Sequence, residues 1–202
     1  MNETDPRVKR TRKLLMGAFA SLLGEKRFSD ISVQDIAERA TVNRATFYAH
    51  FVDKYALLDA AFGELFRDTV TSRVSPDAPF TAEHLRALIV TVLRSQAQFH
   101  DHCQHQAPGR DVSPMMEAKI QQELNTYLLE WLRRSLPGRR PRVPIEHLAS
   151  VMSWAIFGTA VEWSGGARAL SADERASQVA ALLMDGLART IDVEAAAAAS
   201  TQ

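Results

Sequence analysis

The segment that most constrains this chain is residues 31–51, ISVQDIAERATVNRATFYAHF, where a three-residue joint separates two short helical patterns. Ser32 followed by Asp35 forms a capping-box pattern, which predicts the start of the first helix. Asn43 is a good N-cap for the second helix. Two short helices joined by a tight turn have the geometry of a helix-turn-helix unit, whose second helix enters the major groove of DNA.

The two faces of the second helix differ in chemistry. Phe47 and Phe51 are four residues apart, so we expect both rings on the core face. The outward side is polar and hydrogen-bonding, and it lacks the Glu and Lys that surface helices commonly carry. Its residues are Arg44, Thr46, Tyr48 and His50. We expect this side to face DNA, the alternative being that Tyr48 only packs half-buried at the surface.

The charge distribution points to the same end of the chain. The net charge is zero, but residues 1–55 contain ten Lys or Arg and seven Asp or Glu, an excess of three cations. Five of those cations lie between Arg7 and Lys13. An asymmetry of this kind predicts an anionic partner for the N-terminal part, although a solvated helix face would show the same cluster.

Helical spacing recurs along the rest of the chain, and no segment shows convincing strand alternation. The Pro-rich break SPDAPF at 75–80 is the best internal boundary. We therefore expect an all-α protein of about nine helices. It comprises a three-helix helix-turn-helix domain at 1–52, a long connecting helix at 53–73 and a helical-bundle body at 74–202.

The segment ISVQDIAERATVNRATFYAHFVDKYALLDAAF resembles the DNA-binding signature of TetR-type transcriptional regulators, and the likeness covers roughly residues 8–62. The family signature has Ser or Thr opening the first of the two helices, A-G-V-S at the turn, and TFY in the second. This chain departs from it at Thr41, where Gly is usual, at Asn43, which replaces Ser, and at Ala45, which replaces Gly. From Thr41 we expect a turn that does not need a positive φ.

The resemblance implies roles for individual residues. Positions that commonly hold phosphates are matched by Ser32, Thr46, Tyr48 and Lys54. Positions that can reach base edges are matched by Gln34, Arg44 and His50. It also implies a homodimer on a pseudo-palindromic double-stranded DNA operator, acting mostly as a repressor that a small-molecule effector releases.

The body carries two further expectations. The predicted helix at 145–164 is apolar on more than one face, so we expect a partner subunit to cover the second face, with purely internal packing as the alternative. The expected dimer residues are Phe157, Val161, Leu182, Leu183 and Leu187. The resemblance also implies a largely apolar effector pocket, and its expected lining is Phe62, Phe66, Phe99, His100, Cys103, Met116, Tyr127, Trp131 and Trp154. For each of these residues taken singly, ordinary core packing is the better explanation.

The segment FHDHCQH at 99–105 holds three of the six histidines and the only cysteine. His100 and Cys103 are three residues apart, as are His102 and His105, so a metal or redox sensor is an alternative reading. The spacing matches no standard zinc motif, so plain solvated residues are the favoured explanation, followed by polar groups that contact the effector. We find no catalytic motif, and expect no enzyme, no cofactor and no membrane span. The single cysteine and the polar N-terminus favour the cytoplasm.

Overall fold

The computed structural model describes residues 5–105, 113–136 and 141–191, and these form helices without any strand. This confirms the all-α class, with eight α-helices and a short 3-10 turn at Phe28–Asp30 in the described ranges, against about nine helices predicted. The helices are α1 (Pro6–Leu23), α2 (Val33–Arg39), α3 (Arg44–His50), α4 (Lys54–Thr71), α5 (Ala82–His105), α6 (Ser113–Ser135), α7 (Ile145–Gly165) and α8 (Ala172–Ile191). None of the described helices combines the length and the apolar character that crossing a bilayer would require.

The chain divides into two compact units, the first formed by Met1–Leu65 with Asp101–Ile120 and the second by Phe66–His100 with Gln121–Gln202. In the first unit α1 packs against both α2 and α3. Its core side chains are less than a tenth exposed. They include Leu15, Phe19, Leu22, Ile36, Phe47, Phe51 and Leu57.

Ion pairs and caps fix α2 beside α1. Arg39 of α2 donates from both terminal nitrogens to the Glu25 carboxylate, at 2.6 and 2.8 Å. The Ser32 hydroxyl accepts from the Asp35 amide, and the Asp35 carboxylate accepts from the Ser32 amide, which confirms the predicted capping box. The backbone and hydroxyl donors of Ser32, together with the Lys26 ammonium, lower the pKa of Asp35 to about 2.

The turn between α2 and α3 contains a β-branched residue in the left-handed region. Thr41 has a φ of 57°, so the expectation that its substitution for Gly removes the need for a positive φ is wrong. The amides of Thr41 and Val42 donate to the carbonyls of Glu38 and Ala37, at 3.1 and 2.9 Å. These bonds close the turn and hold a conformation that a Thr side chain disfavours.

The second unit is built around the apolar stripe of α5. Leu85, Leu88, Ile89 and Leu93 are fully buried, as the helical spacing predicts. The Tyr127 hydroxyl donates to the Val74 carbonyl at 2.7 Å, and the Trp131 indole N–H donates to the Ala78 carbonyl at 2.6 Å. The two aromatic residues of α6 therefore secure the segment that follows α4, and α7 packs against α8.

The strained backbone at Thr41 leads to a prediction about the stability of the protein. Gly adopts the left-handed conformation without the steric cost that a Thr side chain imposes. We therefore expect Thr41→Gly to raise the free energy of unfolding by about 1 kcal/mol, measured by urea denaturation.

The matched control is Ala45→Gly, an exposed position inside α3 with ordinary helical geometry. There the added backbone freedom should lower the free energy of unfolding by about 0.5–1 kcal/mol. If Thr41→Gly destabilised the protein as much as Ala45→Gly does, the turn would store no strain.

Candidate nucleic-acid interface

Helix α3 is held to the first unit by its two phenylalanines and by one arginine of α1. Phe47 is fully buried, and Phe51 is only 4% exposed. The Arg12 guanidinium lies 4.4 Å from the centre of the Phe51 ring and donates to the His50 carbonyl at 3.3 Å. The Asn43 side chain accepts from the Thr46 amide at 2.7 Å, which confirms the predicted N-cap and fixes where the helix begins.

The opposite side of α3 is open to solvent. Tyr48 is 49% exposed, and the Arg44 side chain is exposed beside it. The Arg44 guanidinium reaches the Tyr48 hydroxyl at 3.4 Å and lies 5.9 Å from its ring centre, so the two side chains form one polar pair. Ala45 and Ala49 are also exposed, so this surface combines hydrogen-bonding groups with room for close approach.

The two remaining predicted residues of α3 are partly engaged inside the protein. The Thr46 hydroxyl donates to the Asn43 side chain at 2.9 Å. His50 is half-buried, and its Nδ1 is buried without a hydrogen-bond partner in the described part of the chain. Burial, with the nearby Arg12 charge as a second cause, lowers the pKa of His50. The lowered pKa favours the neutral form of the His50 ring.

Ser32 and Gln34 lie exposed at the start of α2. The Ser32 hydroxyl already takes part in the capping box, and the Gln34 amide donates to the Glu38 carboxylate. Both remain accessible, but each would exchange an internal bond for a contact with DNA.

Lys54 has a different environment from the one its position in the signature implies. Its ammonium donates to three carbonyls, those of Phe28 and Ile31 at 2.8 Å and that of Ser29 at 3.2 Å. It also lies 4.5 Å from the centre of the Phe28 ring. An ammonium has three donors, and these three carbonyls can accept from all of them. Lys54 therefore ties the start of α4 to the 3-10 turn.

Sequence reasoning missed two features of this region. The sequence pattern presents Arg12 only as one of a cluster of cations and Lys54 only as a phosphate ligand. Both make contacts more than 20 residues away along the chain, for which no local pattern gives a signal. The other cations of the cluster, Arg7, Lys9, Arg10 and Lys13, are exposed on α1.

Comparison with known proteins shows which family the region around α2 and α3 resembles. Residues 15–61 match the sequence profile of the bacterial regulatory proteins of the tetR family. The chain carries a TetR-type DNA-binding domain. An uncharacterized HTH-type transcriptional regulator of Bacillus subtilis (strain 168), YxbF, is 42% identical to it over 57 residues, which span 28% of this chain and 15% of that protein.

Solved structures extend the likeness in fold beyond the TetR-type domain. The TetR family repressor AlkX from Dietzia sp. strain DQ12-45-1b, implicated in biodegradation of n-alkanes, superposes with a TM-score of 0.62 at 17% identity, covering 89% of this chain and 98% of AlkX. Thermus thermophilus FadR, a TetR family repressor in complex with lauroyl-CoA, gives a TM-score of 0.52 at 19% identity, covering 87% and 94% of the two chains. At this identity the likeness establishes the fold alone.

The residues predicted to line an effector pocket are divided between the two units. Phe62 and Met116 belong to the first unit, whereas Phe66, Phe99 and His100 belong to the second. Tyr127 and Trp131 are buried core, and burial raises the pKa of Tyr127 to about 12, so its hydroxyl stays a donor to Val74. Trp154 is 59% exposed, which does not suit the lining of an enclosed pocket.

The predicted dimer residues also separate into two groups. Phe157 and Leu187 are buried within the protomer, and Leu183 is half-buried. Leu182 is 75% exposed, and Val161 is 36% exposed. The two exposed residues could still meet a partner directly, whereas the buried ones stabilise the protomer itself.

The metal and redox alternative gains no support. Cys103, His102 and His105 lie outside the described side chains, and among the described residues no group of three or more His, Cys, Asp or Glu side chains could hold a metal ion.

The contacts of Lys54 lead to a prediction that separates structure from DNA binding. Lys54→Met leaves three carbonyls without their charged donor, and we expect the free energy of unfolding to fall by about 2 kcal/mol in urea denaturation.

Lys9→Met is the matched control, because Lys9 is an exposed lysine of the same unit, and its loss should change stability by less than about 0.5 kcal/mol. An unchanged stability for Lys54→Met together with weakened DNA binding would restore Lys54 to the phosphate contacts.

Proposed function

We propose that this protein is a ligand-responsive transcriptional regulator that binds a pseudo-palindromic operator as a homodimer. It acts as a repressor and leaves the DNA when a small-molecule effector binds. In this proposal residues 1–52 bind DNA, helix 53–73 connects, and residues 74–202 form the effector-binding and dimerisation body. The observation that carries it is the two-sided α3, with Phe47 and Phe51 buried and Arg44 and Tyr48 exposed.

Each exposed group of α3 suits a particular part of the DNA. An arginine can donate two hydrogen bonds to a guanine edge, which contributes about 1–3 kcal/mol of discrimination. We assign this role to Arg44. The hydroxyl of Tyr48 suits a phosphate oxygen, and such contacts set position rather than sequence. The exposed cations of α1 add affinity that falls with salt because they displace counterions from the DNA.

The assignment of α3 is tested by variants that leave its buried face unchanged. Arg44→Ala should weaken binding to the operator about tenfold or more. Tyr48→Phe removes one hydroxyl and should weaken it about fivefold. Fluorescence anisotropy with duplexes from the DNA upstream of the protein's own gene, at physiological salt, measures both effects against a scrambled duplex of equal length.

Tyr55→Phe is the matched control, because Tyr55 is 50% exposed in the same unit and packs edge-on against Phe28 at 5.0 Å. It should leave operator affinity unchanged, and all three variants should keep the wild-type melting temperature. Equal binding of the upstream and scrambled duplexes by the wild-type protein would contradict specific recognition of that DNA.

The homodimer is supported by apolar groups left exposed on α7 and α8. Val151 and Trp154 are 65% and 59% exposed on α7, and Leu182 is 75% exposed on α8. Gly158 and Gly186 lie exposed on the same helices, and a Cβ atom added to either would meet nothing within 4 Å. Their small size is therefore not needed inside the protomer and would allow a partner helix to come close.

Charging this surface tests the dimer. The double variant Trp154→Glu, Leu182→Glu places two carboxylates where apolar side chains would be desolvated. We expect it to shift the protein from dimer to monomer in light scattering after size-exclusion chromatography, and to weaken operator binding.

Val52→Glu provides the control, because Val52 is an apolar residue of the first unit with 78% exposure, and it should leave the oligomeric state unchanged. A wild-type protein that is monomeric at micromolar concentration, or a double variant that remains dimeric, would contradict this interface.

For the effector we propose a largely apolar small molecule bound in the body. The support is the apolar face that α5 and α6 turn to the interior, whose buried residues include Leu88, Leu93, Leu124 and Leu128. A structurally similar regulator was solved with lauroyl-CoA, whose acyl chain is an apolar group of this kind.

A further inference from the structure

A groove on the second unit is lined by charged side chains, which a largely apolar effector would not need. It encloses about 440 Å³, a volume within the range of small-molecule sites. Three arginines line it, Arg73, Arg86 and Arg94, together with Asp173. The remaining lining residues are mostly small or polar, namely Thr69, Ala87, Val90, Thr91, Ser95 and Gln98.

The sequence places these groups by simple spacing. Arg86, Val90 and Arg94 follow one another at four-residue intervals, so they lie along one face of α5. Arg73 comes two residues after the end of α4, and Asp173 is the second residue of α8. Three separate elements therefore bring their charged side chains to one groove.

Asp173 is shared between two of the arginines. One carboxylate oxygen accepts from Arg86 at 2.9 Å, and the other accepts from Arg94 at 2.8 Å. All three side chains are between 40% and 61% exposed, so these ion pairs are surface pairs that stabilise the fold little. Arg73 makes no ion pair with any other residue in the described part of the chain. The groove thus has three cations against one carboxylate, a net charge of +2.

We infer that this groove binds a small molecule carrying two or more adjacent anionic groups, phosphate or carboxylate. Arginine forks match the planar geometry of both groups. Asp173 holds the guanidinium groups of Arg86 and Arg94 side by side. The position of its carboxylate shows where an anionic group of a ligand would fit between them. Binding at this site does not depend on the proposed DNA recognition, because it involves no residue of the TetR-type domain.

Isothermal titration calorimetry of the full chain without DNA, at low ionic strength, tests the site. Pyrophosphate and citrate are the two probes, and the tighter one assigns the ligand to phosphates or to carboxylates. We expect saturable binding of one molecule per chain. Arg73→Gln and Arg94→Gln should each weaken it about tenfold, which is the effect of one charge-assisted hydrogen bond. Asp173→Asn removes the internal competitor and should tighten it several-fold.

Arg134→Gln is the matched control, because it removes the same charge from an exposed arginine of the same unit, paired only at the surface with Asp77 at 3.2 Å. It should change the affinity less than twofold. The absence of saturable binding with both probes would overturn the inference, and so would an Arg134→Gln variant as weak as Arg94→Gln, which would indicate diffuse attraction. The gain expected for Asp173→Asn cannot arise from unfolding, and melting curves verify the fold of the other variants.

Discussion

The burial of Phe47 and Phe51 is the constraint on which the DNA-facing surface depends. Helix α3 has only seven residues, which is too short for a helix to be stable alone in water. Its orientation is therefore set by its packing, and the two rings leave only one side of the helix available to a partner. Arg12 adds to this by stacking on Phe51 and donating to the last carbonyl of α3. Arg44 and Tyr48 are exposed as a consequence.

Local signals allowed most of the fold to be predicted from the sequence. The caps formed by Ser32, Asn43 and Asp53 act within three residues, so the sequence pattern contains the whole interaction. The same holds for Ser171, which forms a capping box with Glu174. Amphipathic spacing also predicts the buried stripe of α5, because a regular helix fixes which side chains share a face.

What could not be predicted depends on contacts that are distant in the sequence. The three carbonyls that accept from Lys54 lie 23–26 residues earlier in the chain. The positive φ of Thr41 depends on how α2 and α3 approach each other. The sequence alone predicts a negative φ at this position, because a Thr side chain disfavours the left-handed region. In α7 the sequence showed two apolar stripes, but not that Phe157 would be buried and Trp154 exposed. The arginine groove likewise requires three elements to meet.

A photocrosslink from the outer face of α3 tests most directly whether this face contacts DNA. A photoreactive phenylalanine analogue is placed at Tyr48, and in a second protein at Leu65, which is 61% exposed on α4. Eleven residues of helix separate Leu65 from the start of α4, a distance of about 16 Å along the axis. We predict crosslinks to a bound duplex from position 48 and none from position 65. Crosslinks from position 65 alone, or none from position 48 while DNA is bound, would contradict it.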